Sequence, residues 1–230
     1  MSDPLRWPER ILRFLVPPIL VLTSVRLFLT HAFLEVEYNR PGFPPDSYGF
    51  TTDDRLRLGA VALDYLFEPT PGDTLVELTF SDGTPVFKGE EVRHMEDVRR
   101  LTQAVLKVWV GSIAVGLAGS VWVVRRKGWR AWAQAAHDGA RATLAIVIGL
   151  GLFIAVGFPV FFTGFHRIFF QGDTWLFAYS DSLIRLFPLQ FWSDVSIGIA
   201  VVALLGGGLA YVGTRFALRR TLELNRGAQS

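Results

Sequence analysis

Four stretches of predominantly apolar residues, near 11–33, 101–124, 142–164 and 194–215, decide most of what this chain can fold into. Each offers roughly the twenty residues that a helix rising ~1.5 Å per residue needs to cross about 30 Å of hydrocarbon. Half of the 230 residues are hydrophobic, nineteen Phe and seven Trp among them, which is more apolar surface than a water-soluble domain can cover. The expected fold class is therefore an α-helical membrane protein, a four-transmembrane-helix bundle. The first window, ILRFLVPPILVLTSVRLFLTHAF, has in Thr30 and Ala32 the small residues of a weak leader-cleavage site. Its span nevertheless suits a full crossing, so a retained helix is expected, kinked at Pro17 and Pro18, where two backbone donors are missing.

Charge sets the orientation. Residues 1–13, the loop 125–141 and the chain from Arg215 onward hold twelve basic and four acidic residues, whereas 34–100 and 165–193 hold nine basic and sixteen acidic ones. Basic segments stay in the cytoplasm, so both termini are expected inside and the two acidic loops outside, in the cell membrane of a multi-pass protein. The same asymmetry explains a pI of 9.1 without a nucleic-acid partner. With no cysteine, the chain offers no disulfide, no thiolate nucleophile and no Cys-based metal site.

Three segments follow: 1–33, the cytoplasmic N-terminus and first transmembrane helix; 34–100, an extracytoplasmic domain; and 101–230, the remaining three helices. In the extracytoplasmic segment EVEYNRPGFPPDSYGF reads as an irregular connector and TTDDRLRLGAVALDYLF as a helix capped by Thr52 or Asp53. TLVELTF alternates and SDGT signals a turn, so a short hairpin is expected, making this segment a small α+β cap between helices 1 and 2. From Gly89 a helical pattern runs without a breaker into the second span. The loop 165–193 is aromatic enough to lie in the interface, and SLIRLF within it predicts a short helix capped by Ser180 or Asp181 and ended by Pro188.

Nucleotide-binding, nucleophile-elbow and zinc-protease motifs are absent, which points away from a nucleotide as partner. Gly206, Gly207 and Gly208 lie inside the fourth span, where small residues serve helix packing. Of four histidines, His137 falls in the cytoplasmic loop and reads as solvated, and His31 as an interfacial anchor. His94, just above the second span, and His166, just past the third, fall at one membrane depth and can meet. Histidine takes up and returns a proton near neutral pH, and Asp97, one turn from His94, can fix its tautomer. That combination suits acyl transfer at an ester held in the outer leaflet, with His94, His166 and Asp97 as the catalytic candidates. Metal ligation by Glu91, His94, Asp97 and His166 is the rival, although no third His completes a zinc site. Arg26 and Lys107, in the outer parts of their spans, either snorkel or stabilise an oxyanion.

Three stretches, YGFTTDDRLRLGAVALDYL, FKGEEVRHMEDVRRL and FHRIFFQGDTWLFAYSDSLIRLFPLQFW, together resemble a family of four-span bacterial membrane proteins, the lipoprotein intramolecular transacylases. The most specific parts are E-x-x-H-M-x-D-V, giving Glu91, His94 and Asp97, and F-H-x-x-F-F-x-x-D-x-W, giving His166 and Trp175. The resemblance implies transfer of the sn-2 acyl chain of a diacylated lipoprotein to the α-amino group of its N-terminal cysteine, yielding the lyso-form, with no cofactor. Substrate contacts are then expected from Glu91, Phe165, Phe169, Phe170, Trp175, Arg26 and Lys107, with membrane lipid around them. A lipid-ester hydrolase, metal-assisted or not, and a non-enzymatic lipoprotein-binding factor are the alternatives.

Overall fold

A computed structural model describes residues 7–69 and 72–227, with side chains described to Arg220. The described residues form seven helices: α1 (Trp7–Phe28), α2 (His31–Asn39), α3 (Thr52–Tyr65), α4 (Gly89–Lys127), α5 (Trp129–Phe169), α6 (Ser182–Leu186) and α7 (Leu189–Gly227). Helices α1, α4, α5 and the Leu189–Arg220 part of α7 are long and apolar enough to cross a membrane, so the chain is a multi-pass membrane protein.

The expected α+β cap is corrected. Among the described residues there is no strand, and the hairpin read into 74–87 shrinks to one antiparallel bridge between Thr79 and Pro85. The turn signal was sound, since Phe80 N–H donates to Thr84 O at 2.8 Å and Val86 N–H to Leu78 O at 2.9 Å. What the alternating pattern bought was burial of single side chains: Leu75 sits in a helical core at 1% exposure while Val76 faces out at 56%. The connector reading of 35–50 also shifts, because Thr30 accepts the Phe33 N–H and caps a separate helix, α2, that runs to Asn39. In α3 the cap is Thr51, one residue earlier than expected: its hydroxyl accepts the Asp54 N–H while Asp54 accepts the Thr51 N–H, a reciprocal capping box.

The chain divides into two compact units. One gathers Arg26–Val105 and Phe153–Ile197. Its core packs Leu34 and Tyr38 of α2, Leu58, Ala62 and Leu63 of α3, Met95 of α4 and Leu183 and Leu186 around α6, with Leu75, Val86 and Phe87 from the loop. Polar groups tie it down: Tyr38 O–H donates to Leu186 O at 2.8 Å, and buried Arg55 donates to Pro44 O and Arg185 O. Arg185 in turn pairs with Asp46 at 2.9 Å and lies 3.4 Å over the Phe50 ring. Burial alone would raise the Asp46 carboxyl, yet bonds from Arg185 and the Phe50 N–H hold it below the usual carboxylate range.

The other unit gathers the chain up to Val25, Leu106–Leu152 and the chain from Gly198. Small residues set its helix spacing. A Cβ on Gly139 of α5 would stand 2.6 Å from Val16 Cβ and 2.9 Å from Arg13 O of α1, so only glycine permits that approach. Gly206 and Gly207 face Leu20 and Leu144, as a packing role requires, while Gly208 faces open space. His137, expected to be solvated, is half-buried: its Nδ1 lies 3.1 Å from Thr214 Oγ1 and its ring stacks on Tyr211 with centroids 4.7 Å apart.

Helix α1 stays helical through Pro17 and Pro18. A break in helical geometry falls in α5, at Gly157, whose φ of −138° and ψ of 45° are not helical, two residues ahead of Pro159. Proline has no N–H to donate and its ring crowds the preceding turn, which gives the break its cause.

Candidate active site

The site lies within the unit of Arg26–Val105 and Phe153–Ile197, and Glu91 builds its first wall. Its carboxylate is 1% exposed and accepts two backbone donors, Lys88 N–H at 2.8 Å and Leu183 N–H at 2.7 Å. The first bond satisfies an orphan donor at the start of α4, and the second reaches α6. Ser182 reinforces the join by donating its hydroxyl to Val86 O, and Lys88 pairs with Asp181, which holds the lysine above its usual range. Glu91 is therefore a structural clamp, and sequence reasoning had set it among substrate contacts. One turn further along α4 stands His94, 8% exposed.

His166 comes from the other direction, near the end of α5 and beyond the break at Gly157. Its ring centroid is 6.1 Å from that of His94, with planes inclined by 21°. The two histidines meet. Aromatic rings close around them: Phe170 and Phe177 present edges to His94 at 4.9 and 5.4 Å, and Phe162 and Trp175 lie 4.1 and 4.9 Å from His166. Phe165 touches His166 edge-on at 5.6 Å, and Phe169 packs on Phe165. Trp175 is held by its own indole N–H, which donates to Gly172 O at 3.1 Å. Phe162 and Phe177 were not singled out from sequence; their only signal was membership of aromatic-rich stretches.

Hydrogen bonding distinguishes the two imidazoles. Nδ1 of His166 is 2.8 Å from Phe162 O, and since a carbonyl can only accept, Nδ1 carries the proton. The lone pair then resides on Nε2. Nδ1 of His94, by contrast, is buried with no partner among the described residues. Asp97, expected to orient His94, bonds to Arg100 at 3.2 Å on the exposed side of α4, and no hydrogen bond joins it to either histidine. Three-residue spacing brought it to the same helix side but not to the ring.

Arg26 donates to Leu29 O at 3.0 Å and lies 5.2 Å over Phe67, so its charge is spent locally. Lys107 is exposed on the part of α4 that belongs to the other unit. His31, read as an anchor, bonds to Asp64 at 2.7 Å with both side chains exposed. Among the described residues no three His, Asp or Glu side chains gather as metal ligands.

A paired, aromatic-walled set of imidazoles on a four-span helical chain can now be set beside known proteins. The profile of the family described as lipoprotein intramolecular transacylase Lit matches residues 11–192. The chain belongs to that family. A protein of Aquifex aeolicus (strain VF5), itself uncharacterized, is 30% identical over 198 residues, 86% of this chain and 88% of that one. The fold is that of the membrane-integral Lit of Bacillus cereus solved in meso, at a TM-score of 0.76 and 20% identity, covering 95% of this chain and 97% of the other. Two further structures of the Bacillus cereus Lit, with one histidine replaced by arginine or by alanine, align at a TM-score of 0.69 each.

Proposed function

We propose that this chain is a lipoprotein intramolecular transacylase, moving the sn-2 acyl chain of a diacylglyceryl group to the α-amino group of the same lipoprotein's N-terminal cysteine. The observation that carries the reading is the pair His94 and His166, 6.1 Å apart between aromatic walls. At that separation the reacting groups of one substrate can reach both rings.

The amine nitrogen attacks the ester carbonyl, and its proton passes to Nε2 of His166, the nitrogen whose partner bond leaves it unprotonated. A tetrahedral oxyanion forms. As it collapses, the ester C–O bond breaks, an amide remains, and His166 passes the proton it took from the amine to the departing glycerol oxygen, while His94, as a neutral imidazole, donates a hydrogen bond to the oxyanion, so both rings end as they began. Both reactants belong to one molecule, which lowers the entropic barrier, and ester-to-amide exchange needs no nucleotide. Phe165, Phe169, Phe170, Phe177 and Trp175 shelter the acyl chain and keep competing water out.

The site is placed at the outer-leaflet interface, with both termini cytoplasmic, on the strength of the charge asymmetry. The test is mass spectrometry of N-terminal lipopeptides from a strain lacking apolipoprotein N-acylation, with and without this gene. Transacylation keeps the acyl count and moves one chain onto nitrogen. Loss of a chain identifies a hydrolase instead, and an unchanged lipopeptide leaves only a binding role. A reporter fused after Ser230 that shows exterior activity overturns the placement.

A further inference from the structure

Wholly within the unit that holds Gly139, α1 and α5 flank an open polar pocket. It has a volume of about 260 Å³ and is lined by Arg13, Asp138, Arg141 and Ala142. Three charged side chains thus converge on one space. Neither guanidinium makes a hydrogen bond or ion pair with another described residue, and Asp138 gives one oxygen to Gln134 at 3.2 Å and keeps the other unbonded. The backbone beneath is fixed, since Gly139 brings α5 against Arg13 O at the glycine-only approach described above.

Depth narrows the ligand. Arg13 stands at the start of the apolar stretch of α1 and Arg141 immediately precedes that of α5, so both side chains fall where phosphate groups of one leaflet lie. Two forks of fixed N–H donors suit a phosphodiester. A carboxylate in the same pocket would repel a purely anionic head group, but it matches one that carries a primary ammonium beside its phosphate.

We propose that this pocket binds the head group of an ethanolamine phospholipid, with the phosphate on Arg13 and Arg141 and the ammonium donating to Asp138. The lipid head group thereby ties α1 to α5 beside the Gly139 contact. Choline lipids keep the phosphate contact but cannot donate to Asp138, and glycerol head groups bring no cation to it.

The full chain, purified in detergent, is titrated with phosphatidylethanolamine, phosphatidylcholine and phosphatidylglycerol, following melting temperature and lipid retention by native mass spectrometry. The ethanolamine lipid is expected to be retained about tenfold better than the other two, the value of one charge-assisted contact. Asp138→Asn removes that preference and leaves residual binding of all three. Arg13→Gln with Arg141→Gln abolishes retention. Should the double variant fail to accumulate, Arg13→Gln alone carries the same comparison. Equal retention of all three lipids by the native chain, stronger retention of the glycerol lipid, or equal stabilisation by inorganic phosphate overturns the proposal.

Discussion

Glu91 accepts the Leu183 N–H at 2.7 Å, and through that one bond the turn of α4 that presents His94 is fastened to α6. The relationship is buried and leaves two backbone donors dependent on a single carboxylate. Glu91→Ala strands the buried Leu183 N–H, an unsatisfied donor costing about 1–3 kcal/mol, and removes the acceptor of the part-buried Lys88 N–H. The expected outcome is a lower melting temperature in detergent together with lost lyso-form product. Glu91→Gln keeps an accepting oxygen and recovers part of both. An unaltered melting curve for the alanine variant removes the clamp from the account.

His94→Ala and His166→Ala are each expected to lower lyso-form product by about 10²–10⁴-fold, the usual range for a lost oxyanion donor or general acid–base, at normal accumulation in the membrane. Asp97→Asn is expected to cost little, because its partner is Arg100 on an exposed helix face. Quantitative lipopeptide mass spectrometry separates these outcomes, and an Asp97 effect as large as either histidine effect would restore the orienting role.

Acid sensitivity follows from Asp46. Its folded carboxyl lies below the ordinary value of 3.8, so the pairing with Arg185 stabilises the fold above that value and is lost as pH falls through the lower folded one. Asp46→Asn is thus expected to melt earlier than the native chain at pH 7, with the gap closing toward pH 3. A gap that stays constant across that range assigns the loss to packing.

Glycine spacing predicts a contrast between two substitutions. Gly139→Ala drives a methyl into Val16 and the Arg13 carbonyl and is expected to destabilise by about 1–3 kcal/mol, as overpacking does. Gly207→Ala meets the far end of Leu144 at 3.2 Å, which can rotate away, and is expected to be tolerated. Thermal unfolding of the two variants side by side decides this.

Periodicity and charge made the spans legible, because lipid imposes one solution on a long apolar run. The meeting of His94 and His166 was legible too, since both fall at one depth beside their spans. Asp97 was misread because a helical interval of three permits contact without requiring it, and Arg100 lay as near in sequence. The cap was misread because alternation over 75–80 records which side chains are buried, and burial in a helical core produces the same pattern as a strand. The break at Gly157 left no mark distinct from the prolines of α1. Phe177 could not be told from its aromatic neighbours, since nothing in its spacing refers to His94.

The interruption at Gly157 turns the end of α5 into a lever. His166 stands nine residues past it, about 14 Å along the axis at ~1.5 Å per residue, so a tilt of about 5° displaces the imidazole by about 1 Å. A misplacement of that size can cost on the order of a hundredfold in rate. The angular setting of a glycine and a proline therefore calibrates the distance between two rings, and a substitution at either would detune the pair without touching a single residue of it.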